Sequence, residues 1–445
     1  HSSPVLLNGN RTTEKAALQA GDCIAVGGVE MYFFPSTESD EAKVARRRVQ
    51  EQQQRRISPV VTLLLVNVCQ LLLFLQVFLT AQAGDRMAIA VAFSGIALLA
   101  WTLYWIYRLA HRTAYELESL VFLLISVGTA VTAAYDPGSL YKQLITVVIG
   151  MALFLLMSGV LRGLGLSIRA RWPVAIAAAG LLAFNVVLGE RIFGAKNWIS
   201  VGPLSFQPSE LVKIAFILAG AATLDRLFAK RNLIFTILFS AYCVGCLALM
   251  SDFGTALIFF VAFLCIAFLR TGDLPSIAML VAAAAFGCGI ILRFKPYIAD
   301  RFAAWMHVWD YAQDMGYQQT RTMSAMASGG LFGAGPDKGW LKYVGAANTD
   351  LVFGVVGEEF GFLLALCCVT ALLIPIIYAL RCAATARSSF YTILSCATAA
   401  MLVCQTALNV LGAVDLLPLT GVTFPFVSMG GSSMISCWGL MAYLK

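Results

Sequence analysis

Hydrophobic residues occur in long, nearly uninterrupted runs, and the polar residues gather between the runs. From about residue 60 onward, stretches of about 20 apolar residues follow one another, and each is long enough to cross a bilayer core of about 30 Å. The chain is therefore expected to be an all-α polytopic membrane protein. The pattern predicts about twelve transmembrane helices, at 60–82, 87–107, 118–134, 141–161, 173–189, 209–226, 232–249, 254–270, 275–293, 351–380, 389–413 and 422–444.

The first 35 residues have a different pattern. Short alternating apolar runs are separated by Asn8-Gly9, Gly21-Asp22 and Gly27-Gly28, which is typical of β-hairpins with tight turns. A segment of about 35 residues is too short for a core of its own, so 1–35 is predicted to be a β-rich fragment of a domain. A charged linker follows at 36–57.

Composition and charge placement support a membrane protein with both termini in the cytoplasm. The chain has 445 residues, of which 60% are hydrophobic and 12% charged, whereas soluble domains carry about 25% charged residues. Basic residues collect in cytoplasmic loops. Five arginines precede the first span, and more basic residues lie at 108–112, 162–171, 226–231, 270 and 381–387. The long segment 294–350 is then extracellular. We expect no nucleic-acid partner, and the Cys243-x-x-Cys246 pair is expected only to pack between helices.

The predicted extracellular segment is longer than a simple connection requires, and long loops are usually functional or disordered. Trp305, Trp309, Tyr311 and Tyr317 favour a position at the membrane interface. The later stretch SGGLFGAGPDKGW contains five glycines, which suits close backbone approach or a mobile flap.

Polar residues also occur at the predicted outer ends of several spans. Pro208 and Ser209 open one helix, with Glu210 and Lys213 one turn apart. Ser209 is either a helix cap or a site residue, and Glu210–Lys213 is either a simple ion pair or part of a site.

Two further spans carry polar residues at depth. A continuous helix from Asp350 would place Glu358 and Glu359 roughly 12–14 Å into the membrane, where acids need a polar cavity or a partner. The last span contains Pro425, Ser428, Gly430, Gly431, Ser432 and Ser433. Its glycines serve either a site or close helix packing. Together these stretches predict an outward-facing polar groove, whereas Asp252 is expected to cap a helix and Asp415 to be a solvated loop acid.

Five motifs in order identify a family resemblance. They are WISVGPLSFQPSELVK, SDFGTAL, GYQQTRTMSAMASGGLFGAG, NTDLVFGVVGEEFG and QTALNVLGAVDLLPLTGVTFPFVSMGGSS. The chain resembles the shape, elongation, division and sporulation (SEDS) proteins over residues 115–445. The resemblance implies a ten-helix SEDS core with a large extracellular loop, preceded by two additional helices at 58–114.

The resemblance also implies an activity and partners. SEDS proteins are bacterial cell-wall glycosyltransferases that polymerise lipid II, the undecaprenyl-pyrophosphate-linked disaccharide pentapeptide, on the outer face of the cytoplasmic membrane. They usually work with a class B penicillin-binding protein, a transpeptidase, and they contact membrane lipids. The family's catalytic acid precedes the motif that here reads Gly316-Tyr317-Gln318. Asp310, directly after Trp309, occupies the expected position and is the first candidate. The proline and the adjacent acid that are common in the family are absent here, so Asp314 is the fallback.

The expected reaction joins a GlcNAc 4-hydroxyl to an anomeric carbon with inversion, and pyrophosphate leaves without a proton donor, so one carboxylate base suffices. The diphosphate needs positive charge, from a divalent cation (Mg²⁺ or Mn²⁺, with unidentified ligands) or from Lys196, Lys213 and Arg321. We expect no organic cofactor. The other predicted substrate-binding residues are Trp198, Gln207, Ser209, Glu210, Gln318, Asp350, Glu358, Ser428, Gly430, Gly431 and Ser432.

Two alternatives remain open. A lipid II flippase would suit the mid-membrane acids and the interrupted last span, although it has no need for a catalytic extracellular aspartate. A noncatalytic scaffold that recruits a transpeptidase would tolerate loss of any single loop acid.

The N-terminal fragment has a second, weaker resemblance. Its NG turn and its L-x-x-GD-x-I-x-x-GG run resemble the last strands of a forkhead-associated domain. The resemblance implies that a longer protein carries a cytoplasmic phosphothreonine sensor, whose reading residues would lie upstream of this fragment.

Overall fold

The computed structural model describes residues 5–8, 10–12, 17–19, 21–26, 29–33, 58–112, 114–163, 165, 169–192, 195–201, 204–224, 230–294, 296–385 and 388–445. The chain divides into two compact units, His1–Ser58 and Pro59–Lys445. The predicted linker 36–57 and the Gly27-Gly28 turn lie outside the described residues.

The first unit contains an antiparallel four-stranded sheet. Its strands are β1 (Val5–Leu7), β2 (Asn10–Thr12), β3 (Cys23–Val26) and β4 (Val29–Tyr32), in the spatial order β2-β1-β3-β4. Asn8 adopts a left-handed backbone with φ of 51°, and its amide joins two turns by donating to Asp22 Oδ1 and accepting from the Cys23 N–H, both at 2.8 Å. The β-rich prediction for this fragment is confirmed.

The second unit is a helical bundle. Its helices are α1 (Pro59–Thr80), α2 (Arg86–Leu109), α3 (Glu116–Tyr135), α4 (Leu140–Val160), α5 (Arg171–Leu188), α6 (Pro208–Leu224), α7 (Lys230–Leu249), α8 (Phe253–Thr271), α9 (Leu274–Phe294), α10 (Pro296–Ala304), α11 (Tyr317–Gly329), α12 (Val352–Val355), α13 (Phe362–Thr385), α14 (Ser389–Ala413) and α15 (Gly431–Met441). A π-helical turn, Val356–Phe360, extends α12.

Eight helices in the described part of the chain, α1–α5, α8, α13 and α14, are long and apolar enough to cross a membrane. Helices α3 and α14 form the centre of the bundle. In their most apolar 18-residue stretches, 83% and 67% of the residues are buried. By contrast, α1 and α5 bury 28% and 22% and expose many large apolar side chains. A protein that spans a bilayer needs an apolar outer surface around a packed interior. The chain has both, so it is a multi-pass membrane protein.

Two predicted spans are not single helices. The segment predicted at 351–380 begins with α12 and its π turn, breaks at Gly361, where φ is 98°, and only then continues as α13. The last span, predicted at 422–444, is helical only from Gly431. Residues 414–430, called the connector below, follow α14 and have no helical run. The break in the last span was expected from Pro425 and Gly430-Gly431 and is confirmed, whereas the break at Gly361 was not predicted.

A small antiparallel sheet between α5 and α6 was missed. It contains β5 (Glu190–Ile192), β6 (Ala195–Val201) and β7 (Leu204–Phe206), in sequence order. The available signal was a short run in which Ser200 separates the apolar residues before it from Val201, followed by Gly202-Pro203, which is typical of a strand that ends in a turn.

Candidate active site

Three helices begin side by side at one end of the bundle, which we call the polar end. The Gln207 N–H before α6 donates to Ser432 Oγ on α15, at 3.0 Å. The Gln207 side chain donates to Asp252, the residue before α8, also at 3.0 Å. A Cβ at Gly431, the first residue of α15, would lie 3.0 Å from the Thr146 methyl on α4. The starts of α6, α8 and α15 therefore meet, and the second turn of α4 packs against the start of α15.

Asp252 is both a helix cap and a hub of side-chain hydrogen bonds. Its Oδ1 accepts from the Thr255 N–H at 3.1 Å, which confirms the predicted cap. Its Oδ2 accepts from Gln207 and from Asn197 on β6, at 3.0 and 2.8 Å. The sheet that the sequence did not predict therefore has a structural role, because β6 places Asn197 beside this carboxylate.

A buried ion pair lies one to two turns along α6. Lys213 Nζ is 2.8 Å from Glu210 Oε1 and 3.0 Å from Gln405 Oε1 on α14. Gln405 in turn donates to the Thr423 carbonyl and hydroxyl, both at 3.0 Å, and the Thr423 hydroxyl is 2.7 Å from that of Ser433. The predicted Glu210–Lys213 pair is present, and it is one part of a network that ties α6, α14 and the connector to α15.

Asp310 lies on an exposed turn that is attached to the connector. Arg301 donates to the Leu419 carbonyl at 3.0 Å, and Trp305 donates from its indole to the Leu416 carbonyl at 3.2 Å. The Met306 N–H donates to Asp415 Oδ1 at 3.1 Å. The connector continues into α15, so these bonds hold the Asp310 turn at the polar end.

Asp415 lies in a loop, as expected, and it also makes a contact that the sequence did not predict. The residue is half-buried, and its carboxylate accepts the Met306 N–H. The sequence could not show this contact, because the two residues are 109 positions apart. Asp310 and Asp314 themselves are exposed, and neither carboxylate has a hydrogen bond to another described residue.

Asp350, in the loop before α12, faces two charged residues. Burial raises its pKa to about 6, while a hydrogen bond from Thr349 and the charge of Arg301 act to lower it and Asp252 acts to raise it. Its main-chain carbonyl accepts from Asn409 on α14 at 2.9 Å. Asp350 is thus within electrostatic reach of both the Asp252 hub and the segment that carries Asp310.

The two adjacent glutamates lie in the π turn that extends α12, just before the break at Gly361. Glu358 and Glu359 are 1% and 3% exposed. Glu358 accepts from the main-chain N–H groups of Trp340 and Leu341, at 2.8 and 3.1 Å. The glycine-rich stretch packs against them, and a Cβ at Gly339 would lie 2.7 Å from Glu358 Oε2. The glycines predicted for close backbone approach are needed for this contact.

The remaining predicted site residues lie in several local settings. Lys196 Nζ donates to the carbonyls of Val186 and Val187 at the end of α5, at 2.9 and 3.0 Å. Gln318 donates to the Gly345 carbonyl at 2.9 Å, and Arg321 lies 5.1 Å from the centroid of the Tyr317 ring. Trp198 is half-buried on β6 opposite Glu190. Their roles in substrate binding remain predictions.

Ser428 and Ser209 differ in how their hydroxyls are satisfied. Ser428 donates to the Thr349 carbonyl at 2.6 Å and accepts from the Phe424 N–H at 2.8 Å, and so fixes the connector to the loop before α12. Ser209 is fully buried and its hydroxyl has no partner among the described residues. The structure therefore does not support the reading of Ser209 as a helix cap.

The sequence predicts a divalent cation but no ligands for it, so we consider the acidic, histidine and cysteine side chains of the described residues. They contain no group of three or more His, Cys, Asp or Glu side chains that could hold a metal ion. Mg²⁺ usually binds through one or two carboxylates together with substrate phosphates, and the divalent cation stays a prediction.

The fold and site define a polytopic membrane protein with a polar network at one end of its helices and an exposed aspartate loop beside it. The chain belongs to the FtsW, RodA and SpoVE family of cell cycle proteins, which matches residues 109–445. It is 28% identical over 385 residues to the peptidoglycan glycosyltransferase RodA of Mycobacterium leprae, covering 79% of this chain and 82% of the relative.

Two further similarities agree with this assignment. The probable peptidoglycan glycosyltransferase FtsW of Tolumonas auensis is 33% identical over 280 residues, covering 60% of this chain and 73% of the relative. A solved peptidoglycan synthase complex that coordinates polymerization and crosslinking contains a chain with 29% identity and a TM-score of 0.61. That match covers 74% of this chain and 96% of the solved one.

Proposed function

We propose that the protein is a peptidoglycan glycosyltransferase that polymerises lipid II on the outer face of the bacterial cytoplasmic membrane. Its family and the names of its relatives support the activity. The observation that carries the site is the attachment of the exposed Asp310 turn to the connector, beside the Asp252–Gln207–Ser432 network.

In this proposal Asp310 is the general base. Its carboxylate accepts the proton of a GlcNAc 4-hydroxyl as that oxygen attacks the anomeric carbon of a second lipid-linked sugar. The C–O bond to the diphosphate breaks, and the diphosphate leaves as an anion without a proton donor. Inversion follows from a single displacement. An exposed carboxylate suits this role because the acceptor sugar lies outside the bilayer, on its own lipid carrier, and must reach the base there.

The orientation and partners follow from the same proposal. Both termini lie in the cytoplasm and the polar end faces outward, in keeping with the basic residues of the predicted inner loops. A class B penicillin-binding protein is the proposed crosslinking partner, supported by the similarity to a synthase complex. The N-terminal sheet is proposed to be part of a forkhead-associated domain that binds a phosphothreonine partner in a longer protein.

The test is polymerisation by the purified protein. Fluorescent lipid II and Mg²⁺ or Mn²⁺ would be added to the protein with and without the transpeptidase, and glycan strands would be resolved on a gel. Strands that form only when this protein is present are the expected result. No strands under any condition, together with transfer of lipid II across vesicle membranes, would contradict the polymerase and favour a flippase.

A further inference from the structure

Aromatic side chains cluster along the last turns of α2. The rings of Trp101 and Tyr104 meet edge to face with their centroids 5.7 Å apart, and those of Tyr104 and Trp105 do the same at 5.7 Å. Trp105 is exposed, and amphipathic rings of this kind prefer the headgroup level of a bilayer. The family match begins only at residue 109, so this aromatic cluster belongs to the two additional N-terminal helices.

Two guanidinium groups lie against rings at this end of α2. Arg108 Cζ is 5.4 Å from the centroid of the Trp105 ring, and Arg108 also donates to the Tyr104 hydroxyl at 3.4 Å. Arg112 Cζ is 5.5 Å from the centroid of the Tyr107 ring. A ring face attracts a cation without neutralising it, so the two arginines are held in place and keep their full charge.

A Schellman-type turn ends α2 and brings the second arginine back beside the helix. His111 has a left-handed backbone, with φ of 54°. Its N–H donates to the Arg108 carbonyl at 3.1 Å, and the Arg112 N–H donates to the Tyr107 carbonyl at 2.9 Å. A helix C-terminus carries only about half a negative charge, which two full positive charges outweigh.

The acids that follow α2 in the chain have other partners. Residues 101–115 contain no Asp or Glu. Glu116 accepts from the Tyr378 hydroxyl at 2.9 Å. Glu118 is fully buried and pairs with Lys445 at 2.9 Å. Within the described residues neither arginine forms an ion pair, so this end of α2 carries two positive charges that no acid in this part of the chain neutralises.

The two arginines lie at the end of the bundle opposite the polar end. Helix α15 begins at the polar end with Gly431, and Lys445 follows its last turn. Lys445 Nζ is 5.0 Å from the centroid of the Tyr107 ring, which Arg112 also contacts. With the polar end outward, as proposed above, the arginines lie at the inner leaflet, where acidic lipids attract basic residues next to a span.

We propose that Arg108 and Arg112 form a binding site for the headgroup of an acidic phospholipid. A guanidinium binds a phosphate through paired N–H donors, and the exposed side chains of Trp105 and Leu109 offer the acyl chains an apolar surface. The two positive charges favour a lipid with a net negative charge over a zwitterionic one. The site does not depend on the polymerase activity, and it gives the additional helices a lipid-binding role.

The test measures lipid binding by the full chain in a neutral detergent, with short-chain fluorescent phosphatidylglycerol as the probe. Wild type is compared with Arg108→Gln/Arg112→Gln (the glutamine pair), with Arg108→Lys/Arg112→Lys (the lysine pair) and with the control Arg86→Gln. Arg86 is an exposed arginine at the other end of α2, and its Cζ is 5.6 Å from the centroid of the Phe78 ring. Fluorescent phosphatidylcholine tests the need for net charge, and soluble glycerol phosphate competes as a free anion.

Each basic residue near a membrane surface strengthens binding of acidic lipid roughly fivefold, so the glutamine pair should bind phosphatidylglycerol roughly 30-fold more weakly than wild type. The lysine pair keeps both charges and should retain most of the binding. Arg86→Gln should bind as wild type does. Because the glutamine and lysine pairs change the same two positions, a general folding defect would weaken both.

Several results would overturn the proposal. The glutamine pair would bind as tightly as wild type, the two pairs would be weakened equally, or wild type would bind phosphatidylcholine as tightly as phosphatidylglycerol. An equal loss in Arg86→Gln would show that any cation on α2 attracts the lipid and that there is no site. Full competition by glycerol phosphate at equal concentration would assign the arginines to a soluble anion instead of a lipid.

Discussion

The Met306 N–H donates to Asp415 Oδ1 at 3.1 Å, and both residues have left-handed backbones, with φ of 62° and 61°. Non-glycine residues rarely adopt this conformation, and it costs of order 1 kcal/mol or more. The bond joins the turn that carries Asp310 to the connector that leads into α15. Asp415 is therefore a positioning residue for the proposed base.

Replacing Asp415 should slow polymerisation without preventing folding. Asp415→Ala removes the acceptor, and a lost hydrogen bond of about 1 kcal/mol corresponds to roughly a fivefold lower kcat. Asp415→Asn keeps both an acceptor oxygen and a side chain that tolerates the left-handed backbone, so it should restore most of the activity. Strand synthesis by the two purified variants is the measurement. Equal loss in both would contradict a positioning role for this acceptor.

The Glu210–Lys213 pair should be a strong determinant of stability. Lys213→Met leaves a buried carboxylate without its cation, which costs about 3–5 kcal/mol, whereas the double variant Glu210→Gln/Lys213→Met removes both charges. Thermal unfolding in detergent should therefore show a much lower Tm for the single variant than for the double one. A double variant that melts below the single variant would show that the pair is not coupled in this way.

The two adjacent glutamates should respond differently to loss of charge. Glu358 accepts from two main-chain N–H groups, and Glu358→Gln replaces one acceptor by a donor, at a cost of about 1–3 kcal/mol. Glu359 Oε2 has no partner among the described residues, so Glu359→Gln should cost less. Tm values of the two variants decide the matter, and a larger loss for Glu359→Gln would be inconsistent with this structure.

Asp350 predicts a pH dependence of stability. Its folded pKa of about 6 lies above the ordinary value of 3.8, so the folded state binds the proton more tightly than the unfolded state does. Stability should fall as the pH rises from 3.8 to about 6 and level off above that. Asp350→Asn should remove this part of the dependence, and Tm measured across the range for both proteins tests it. Parallel curves would exclude Asp350 as the source.

The sequence predicted the membrane helices well because about 20 consecutive apolar residues have few alternatives to crossing a bilayer. It also identified Glu210, Lys213 and Ser432, whose polarity is conspicuous within apolar runs. Pro425 and Gly430-Gly431 indicated the interruption of the last span, but the interruption at Gly361 escaped because one glycine inside an apolar run gives no clear signal. The glycine's left-handed backbone becomes evident only when its neighbours are placed.

The contacts that assemble the site were harder to predict. Gln405 accepts from Lys213 across 192 positions, and Asn197 reaches Asp252 across 55. Local periodicity carries no information on such pairings. A lone glutamine or asparagine at the edge of an apolar run was the only signal, and Asn197 and Gln405 were not recognised from it.

The central claim is that Asp310 is the base for polymerisation of lipid II, and one comparison tests it most directly. Wild type, Asp310→Asn and Asp314→Asn would be purified with the transpeptidase partner and assayed for glycan strands from fluorescent lipid II, with Tm as a check on folding. The account predicts strands from wild type and Asp314→Asn, and at least a hundredfold loss in Asp310→Asn, within the roughly 10²–10⁴-fold contribution of general base catalysis. Normal strand synthesis by a folded Asp310→Asn protein would contradict it.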